Sequence, residues 1–296
     1  MKISAKVVAD SVANNIRITT LELCYHRFIH SEFMTHRMFS RNASSSRAIP
    51  IGKMLKQVHD TPAMPIHWGK NHPGMQARDS LAGVYVEEAM EEWYYAIHKM
   101  IERVDILNSI GLHKQVINRL LEPFQYIKVI VTATEWDNFF KLRNHPDAQP
   151  EMQELARCMK EAMDHSIPVV LGQGKWHLPY VKNEDTLVMS CYGNKEDLLS
   201  DMIKCSVARC ARVSYLNHDT SGTDVSKDIA LADKLLEAGH MSCFEHQATP
   251  RNITPLSESP YYTWQHGVTH QDRNGDYWSN NFRGWIQYRA LLNDTM

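Results

Sequence analysis

A short segment between residues 35 and 47 carries the side chains best suited to chemistry. It places three arginines, a histidine and a run of hydroxyls in the sequence Thr35-His36-Arg37-Met38-Phe39-Ser40-Arg41-Asn42-Ala43-Ser44-Ser45-Ser46-Arg47. Arginine offers a planar fork of N–H donors to phosphate oxygens, and small serines let backbone N–H groups approach a ligand closely. The segment therefore predicts a pocket for a phosphorylated ligand, although a solvated basic loop has the same composition.

The bulk composition limits the kind of partner that these arginines serve. The chain has 296 residues and a formal net charge of −2, so it has no basic excess that would suit a nucleic-acid polymer. No apolar run approaches the roughly 18–20 residues of a membrane span, and the first residues lack the apolar core of a signal peptide. We therefore expect a cytoplasmic protein that binds a small anion, with neither a nucleic acid nor a membrane as partner.

Cysteine and histidine give weaker signals. The six cysteines, none of them spaced as C-x-x-C, predict reduced and mostly buried thiols: Cys24, Cys158, Cys191, Cys205, Cys210 and Cys243. A catalytic cysteine stays an alternative, because a thiolate is a strong nucleophile. Two histidine pairs are spaced four apart, His26 with His30 and His266 with His270. Neither has a glutamate beside its first histidine, so no metal site is predicted.

Hydrophobic periodicity predicts the elements that must position the arginine-rich segment. Residues 16–25 alternate apolar and polar side chains as a strand does, and residues 27–39 deliver His36 and Arg37 at or past a helix end. Amphipathic helices are predicted at 79–107, at 150–164 and at 226–238, the last with Ser226 as N-cap and Gly239 as its stop.

The stretch 50–76 is rich in proline and glycine, and it predicts a long loop rather than a helix. Long loops in compact domains are often functional, so His67-Trp68-Gly69-Lys70-Asn71 is a candidate wall of the pocket. An ordinary surface excursion explains the same composition. No glycine-rich turn leads from a strand into a helix, and a Rossmann domain is therefore not expected.

Two further segments belong with the first. One runs from Asn118-Arg119 to Asn138-Phe139-x-x-Leu142-Arg143 and Ala148-Gln149-x-Glu151. The other contains Ala211-Arg212-Val213-Ser214 and Gly239-His240-x-x-x-Phe244-Glu245-His246. With His36-Arg37 and Ser45 at their spacing, these motifs resemble those of the flavin-dependent thymidylate synthases. In that family the last segment precedes the other two, so the motif order here resembles a circular permutation, which is tolerated when the original termini are close and exposed.

The resemblance implies a fold and an activity. It implies an α/β (α+β) fold of the thymidylate-synthase-complementing-protein type, permuted, with helices around a mainly antiparallel sheet. We expect a single catalytic domain over 1–296, with the excursion at 51–76 and a C-terminal extension at 252–296. Members bind FAD, take a one-carbon unit from methylene-tetrahydrofolate, use NADPH as reductant and convert dUMP to dTMP. They assemble as homotetramers with shared active sites, and no enzyme nucleophile attacks the uracil.

The resemblance also implies roles for individual residues. Arg143, Arg37 and His36 are the predicted catalytic residues, and Arg143 faces the uracil ring. The predicted dUMP-binding residues are Glu32, Ser45, Ser46, Arg47, Arg119 and Arg143. The predicted FAD-binding residues are His36, Arg37, Met38, Asn138, Ser214 and His246.

Four departures from the family pattern keep other products open. Thr35 replaces the first arginine of Arg-His-Arg, Ala43 replaces a usual glutamate and Ala48 a usual tyrosine, while Glu32 stands where glutamine is usual. A dUMP hydroxymethylase, or a methylase of another pyrimidine deoxynucleotide, is therefore an alternative on the same scaffold. A non-catalytic nucleotide- or flavin-binding protein is a more distant one. Arg41 or the proline-rich excursion is a candidate replacement for the lost contacts.

Overall fold

The structure is a computed structural model of the chain. It describes residues 2–77, 79–182, 185, 195–214, 224–252 and 264–292, with the backbone alone at 195–197 and 214. Ser214 is thus described without its side chain, and Cys191 and Tyr215 lie outside the described residues.

A five-stranded sheet forms the centre of the fold. Its strands are β1 (Ser4–Ala13), β2 (Ile16–His26), β3 (Ser40–Ala43), β4 (Tyr126–Ala133) and β5 (Val169–Val170). Their spatial order is β3-β4-β2-β1-β5, and every neighbouring pair is antiparallel except β1 with β5. Asn14 and Asn15 join β1 to β2 with positive φ angles of 50° and 61°, as a two-residue hairpin turn requires. The predicted strand at 16–25 is confirmed.

The remaining elements surround this sheet. Short strands in the C-terminal part are β6 (Ala248–Pro250), β7 (His270–Gln271), β8 (Tyr277–Ser279), β9 (Phe282–Arg283) and β10 (Trp285–Gln287). The helices are α1 (His30–Phe33), α2 (Ile51–Asp60), α3 (Val84–Ser109), α4 (Lys114–Leu120), α5 (Asp137–Arg143), α6 (Pro150–Asp164), α7 (Lys195–Ala211), α8 (Val225–Glu237) and α9 (Tyr288–Leu292). Within the described ranges, none of these helices is both long and apolar enough to cross a membrane.

Helices cover both faces of the sheet. Because side chains alternate along a strand, Val129 and Val131 of β4 pack with α6, whereas Ile130 packs with α7 and α8 on the opposite face. Helix α6 has the predicted bounds. It buries the stripe that its spacing indicates, namely Met152, Leu155, Ala156, Met159 and Met163. The sheet is therefore a central layer, which holds β3 and β4 in fixed register.

Two sequence predictions are wrong. Residues 51–60 form helix α2 instead of loop, because Pro50 sits at the N-cap and Met54 and Val58, four residues apart, are both fully buried. The added methyl group at Gly52 would meet open space, so this glycine only weakens the helix. Ser226 is not the N-cap of α8: Asp224 is, and its carboxylate accepts from the backbone N–H of Ser226 at 3.1 Å. The helix does end before Gly239, whose φ is +70°.

Candidate active site

The loop that carries His36 is held by side chains that donate hydrogen bonds to its backbone carbonyl oxygens. It follows the single turn of α1, and Thr35 Oγ1 donates to the carbonyl oxygen of Glu32 at 2.7 Å. Arg41, at the start of β3, donates from Nη1 to the carbonyl oxygens of Met34 at 2.7 Å and His36 at 2.9 Å. The guanidinium of Arg41 therefore satisfies loop carbonyls and fixes the position of His36.

Three predicted site residues from two distant segments meet at this loop. Arg143, the last residue of α5, donates from Nε to Nε2 of His36 at 2.9 Å and pairs through Nη1 with the carboxylate of Glu32. The three side chains thus form a cluster in which Arg143 is central. Since Nε and Nη1 are occupied, Nη2 is the nitrogen that stays available to a ligand.

His36 is a neutral acceptor in this cluster. Burial, together with the nearby charges of Arg143 and Arg41, lowers its pKa to about 4. Its ring packs edge-on against Phe139, with centroids 4.9 Å apart, and stacks on Phe39 at 6.0 Å. A histidine that accepts at Nε2 carries its proton on Nδ1, so the contact with Arg143 also fixes its tautomer.

A cavity of about 1460 Å³ opens beside Arg143 and Glu32. His67 and Gly69 of the predicted excursion line it, so the loop portion of that excursion forms part of the wall. Pro123 also lines it and lies next to Glu122, which was not predicted for the site but is contacted by a second group of predicted residues.

That second group converges on one carboxylate oxygen. Glu122 Oε1 accepts from Ser46 Oγ at 2.6 Å and from Arg119 Nη1 at 2.8 Å, and Arg27 Nη2 lies 3.0 Å away. The buried amide of Asn118 donates to the carbonyl oxygens of Ser46 at 2.8 Å and of Ile49. The turn that carries Ser45, Ser46 and Arg47 is therefore anchored to α4 and to Glu122. We call this group the Glu122 corner.

The other predicted residues on the surface are accessible. Arg37, Met38, Arg47 and Asn138 have exposed side chains, and Ser45 is half-buried. In the part of the chain that the structure describes, the guanidinium groups of Arg37 and Arg47 have no hydrogen-bond or ion-pair partner. Both cations are thus available to anionic ligands.

His246 is fully buried and lies on the sheet rather than at the surface. Its Nδ1 lies 2.9 Å from Thr132 Oγ1, and among the described residues its Nε2 has no hydrogen-bond partner. Burial lowers its pKa to about 3, so its ring is neutral.

The third motif segment packs beside the first. The side-chain amide of Asn42 in β3 donates to the carbonyl oxygen of Cys210 at 2.9 Å, and Ser242 Oγ donates to Asn42 Oδ1 at 3.3 Å. Segments that are far apart in sequence are thus neighbours in space, as a permuted motif order requires.

The C-terminal extension supplies contacts that sequence reasoning missed. Asn281 Nδ2 donates to the carbonyl oxygen of Met38 at 2.9 Å, and the buried Gln287 donates to Ser40 Oγ at 3.1 Å and to the carbonyl oxygen of Glu245. Arg289 pairs with the Glu245 carboxylate. The only signal in the sequence is the mixture of aromatic, amide and arginine residues at 278–289, which names no partner.

The five thiols that the structure describes are not activated. Burial is the main cause that raises the pKa of Cys24 and of Cys158 to about 11, and that of Cys205 and of Cys243 to about 12. Burial also raises the pKa of Cys210 well above its usual value. Three of these five thiols are buried.

The predicted histidine pair on α1 and β2 binds protein groups. His26 Nε2 lies 2.7 Å from the carbonyl oxygen of Met64, and His30 Nδ1 lies 2.8 Å from the hydroxyl of Tyr25. Across the described residues, no group of three or more His, Cys, Asp or Glu side chains is placed to hold a metal ion.

With this geometry in place, comparison with known proteins identifies the family. Residues 9–169, more than half of the chain, match the model of the family described as thymidylate synthase complementing protein. The chain belongs to this family. The match confirms the resemblance and the predicted fold class, and it makes the chain an enzyme of nucleotide metabolism. No curated protein sequence matches the chain.

Similar solved structures include two of a UMP/dUMP methylase, PolB, from Streptomyces cacaoi. The complex with 5-Br dUMP is 18% identical to this chain with a TM-score of 0.42, and the match covers 50% of this chain and 66% of that one. The complex with 5-Br UMP is 14% identical with a TM-score of 0.42, and covers 55% and 88%.

Proposed function

We propose that this chain is a flavin-dependent methyltransferase of the cytoplasm that converts dUMP to dTMP, with methylene-tetrahydrofolate as carbon donor and NADPH as reductant. The observation that carries the proposal is the contact of Arg143 with His36 and Glu32 beside a large cavity. It unites the two segments whose motifs resemble the family's nucleotide- and flavin-binding sequences.

Arg143 is the proposed catalytic cation. Negative charge develops on a carbonyl oxygen and a ring nitrogen of uracil when its C5 position is activated, and a positioned cation stabilises that charge. His36, neutral and accepting at Nε2, and Glu32 at Nη1 hold the guanidinium so that Nη2 remains for the pyrimidine. The guanidinium thus needs no reorganisation during the reaction.

The Glu122 corner is the proposed site of the dUMP phosphate and sugar. Ser45, Ser46 and Arg47 form its turn, and Arg119 lies opposite as a second cation. The Arg119 side chain is half exposed although it pairs with Glu122, so it can reach a phosphate while Glu122 keeps Ser46 and Arg27 in place. Two arginine forks on one phosphate favour a nucleotide over a nucleoside.

The predicted flavin-binding residues offer chemistry that fits FAD. Arg37 provides an exposed cation for a pyrophosphate, Asn138 an exposed amide, and His246 a buried ring nitrogen without a partner among the described residues. His36, the backbone at Met38, and Ser214 complete the proposed set. When bound and reduced by NADPH, the flavin would supply the two electrons that turn the transferred methylene group into a methyl group. The raised thiol pKa values support a reaction without a cysteine nucleophile.

A homotetramer with shared sites is part of the proposal. Helix α3 is 26 residues long, yet only Ile97 and Val104 are buried on it. It exposes a set of large apolar side chains that a partner subunit would cover: Val84, Tyr85, Met90, Tyr94, Tyr95 and Ile106. This surface supports association, because large exposed apolar patches mark interfaces.

A second candidate is a changed product or base. The Glu32 carboxylate neutralises part of the Arg143 charge, and Ala43 in β3 brings no carboxylate. Both differences alter the electrostatics beside the nucleotide. Hydroxymethylation of dUMP, or methylation of another pyrimidine deoxynucleotide, is therefore the alternative reaction. The non-catalytic alternative is a protein that binds flavin and nucleotide without reaction.

The deciding experiment is anaerobic incubation of the purified protein with FAD, NADPH, methylene-tetrahydrofolate and dUMP, followed by mass spectrometry of the nucleotide. A methyl gain that is lost in Arg143→Ala supports the proposal. A hydroxymethyl gain supports the second candidate. Unchanged dUMP, in a protein that binds FAD, leads to the same assay with other pyrimidine deoxynucleotides: a methyl gain there supports the changed base, and no product supports the non-catalytic alternative. Absence of flavin binding contradicts the whole proposal.

A further inference from the structure

A chain of hydrogen-bonding side chains crosses the sheet and ends at His246. Ser11 Oγ lies 2.9 Å from His177 Nδ1, and His177 Nε2 lies 2.8 Å from Thr20 Oγ1. Thr20 Oγ1 lies 2.7 Å from Thr132 Oγ1, which lies 2.9 Å from His246 Nδ1. All five residues are buried, the last four of them almost completely. We call this set the buried relay.

The strand register explains why the relay exists. Thr20 of β2 and Thr132 of β4 are directly paired across the antiparallel ladder, so their side chains lie on the same face. His177 is fixed by backbone hydrogen bonds to Ala248, just after the turn that bears His246. The two histidines are thus held at opposite ends of one threonine pair.

Counting protons leaves two satisfied arrangements of the relay. Each hydroxyl has one proton, and each neutral imidazole carries one proton on one of its two nitrogens. Both rings are neutral, because burial lowers the pKa of His177 and of His246 to about 3. In every other arrangement two oxygens or an oxygen and a nitrogen face each other without a proton between them, or the hydroxyl proton of Thr20 or Thr132 has no acceptor.

In the first arrangement, Ser11 donates to His177, which donates from Nε2 to Thr20. Thr20 then donates to Thr132, and Thr132 donates to Nδ1 of His246, so His246 carries its proton on Nε2. In the second arrangement every bond reverses, so His246 Nε2 becomes an acceptor and the Ser11 hydroxyl proton points out of the relay. The tautomers of the two histidines are therefore the same and change together.

We propose that Thr132, Thr20 and His177 are positioning residues that set the tautomer of His246, and that a ligand with a hydrogen-bond acceptor at Nε2 selects the first arrangement. Such a ligand satisfies the His246 N–H, and Ser11 at the far end has His177 as acceptor, so each relay donor then has a partner. A flavin ring presents acceptors of this kind in its carbonyl oxygens and bare ring nitrogens. That choice of ligand rests on the proposed function, whereas the relay itself does not.

The test is the ¹⁵N NMR signature of the histidine rings in the full-length protein, with and without FAD. We expect the two ring nitrogens of His177 to have averaged shifts in the free protein. On FAD binding they separate toward the pattern of a ring protonated on Nε2, although His177 is not a proposed flavin contact. Thr20→Val and Thr132→Val break this response. They also weaken FAD binding about 2- to 10-fold, the range expected for one net hydrogen bond.

The matched control is Thr19→Val. Thr19 is equally buried on the same strand, but its hydroxyl donates to Asp10 at 3.1 Å and not to the relay. This variant keeps the His177 response, and Thr20→Ser and Thr132→Ser, which retain a hydroxyl, restore it. A His177 response that survives in Thr20→Val, or its absence in wild-type protein with FAD bound, overturns the proposal.

Failure of the proposed function is distinguishable from failure of the relay. If FAD does not bind, the ¹⁵N spectrum of His177 in the free protein still tests the relay. Thr20→Val leaves His177 Nε2 without a donor or acceptor, so its proton moves to Nδ1, beside Ser11. An unchanged His177 pattern in free Thr20→Val protein contradicts the relay whatever ligand the chain binds.

Discussion

Arg143 donates from Nε to Nε2 of His36 at 2.9 Å, although 107 positions separate the two residues in the chain. The bond joins the end of helix α5 to the loop that follows α1. Because His36 is neutral and accepts at Nε2, it orients the guanidinium without competing for its charge. The loop is in turn fixed by Arg41, so the arginine of one motif depends on the loop of another.

Arg143→Lys tests this dependence. A lysine ammonium is a compact point charge and cannot reproduce the planar fork that contacts His36 and Glu32 together. We expect kcat for nucleotide product to fall about 100-fold, the scale for losing one positioned transition-state donor. Single-turnover assays of the variant, with thermal unfolding as a check on folding, measure this.

The matched control is Arg103→Lys. Arg103 is an exposed arginine on α3 that pairs with Glu102, remote from the described cavity lining. Its replacement leaves kcat unchanged. Equal losses in the two variants, or full activity in Arg143→Lys, would remove Arg143 from the catalytic role.

Glu32→Gln examines the departure from the family pattern. The amide retains a hydrogen-bond acceptor for Arg143 and removes the negative charge, so the arginine presents a fuller positive charge to the pyrimidine. The ion pair is partly exposed, with side-chain exposures of 22% and 29%, so the effect is modest. We expect dUMP affinity to rise about 2- to 5-fold by calorimetry, while Glu32→Ala lowers it. If Glu32→Gln weakens binding as much as Glu32→Ala does, the carboxylate itself contacts the substrate.

Local patterns predicted three of the described helices, α3, α6 and α8, whereas the site depends on contacts between distant segments. Helix α6 has its predicted bounds because its buried stripe repeats every three to four residues and Pro150 marks its start. Helix α2 was missed because its prolines lie just outside it, at the N-cap and after its end, and Gly52 lowers its helix propensity. A count of prolines over 50–76 could not separate the helix from the loop that follows.

The candidate site, too, was predicted only in part. Motif resemblance predicted which residue types matter, and the structure brings Glu32, His36 and Arg143 together, and Ser46 with Arg119. The residues that hold them were not predictable. Asn281 and Gln287 bond to the Met38–Ser40 stretch across more than 240 positions, and no periodicity in the sequence pairs them.

Arg119→Ala separates phosphate recognition from base recognition. If Arg119 contacts the phosphate, its loss removes charge-assisted hydrogen bonds that deoxyuridine never makes. We expect dUMP affinity to fall about 10- to 100-fold while deoxyuridine affinity is unchanged. Titration of both ligands against wild type and variant measures the difference, and Arg103→Ala provides the matched surface control. An equal loss for both ligands would place Arg119 away from the phosphate.

The buried histidines predict acid sensitivity at mildly acidic pH. Burial holds the pKa of His177 and of His246 at about 3, whereas an unfolded chain protonates histidine near pH 6.5. Between these values the unfolded state binds more protons, so stability falls as pH drops below 6.5. Each ring contributes a slope of up to about 1.4 kcal/mol per pH unit.

Urea unfolding at pH 7.5, 6.0 and 5.0 measures this slope. We expect His177→Gln, which cannot be protonated, to lower the slope between pH 6.0 and 5.0 relative to wild type. His165→Gln is the control, because His165 is exposed at the end of α6 and its replacement removes no buried ring. A slope that His177→Gln leaves unchanged would mean that other groups cause the acid sensitivity.

Gly284→Ala and Gly239→Ala compare two glycines with nearly the same backbone angle, φ +69° and +70°. A methyl group at Gly239 meets open space, so only the left-handed conformation opposes it, at about 1 kcal/mol. At Gly284 the methyl group would also overlap the terminal Cδ1 of the Ile16 side chain in β2, which has to move aside and adds about 1 kcal/mol of overpacking. Gly284 precedes Trp285, whose indole N–H donates to the carbonyl oxygen of Ile16, so the C-terminal strands lie against the central sheet here. We expect the Gly284 variant to lose more unfolding free energy than the Gly239 variant. Equal losses would show that the Ile16 side chain moves aside without cost.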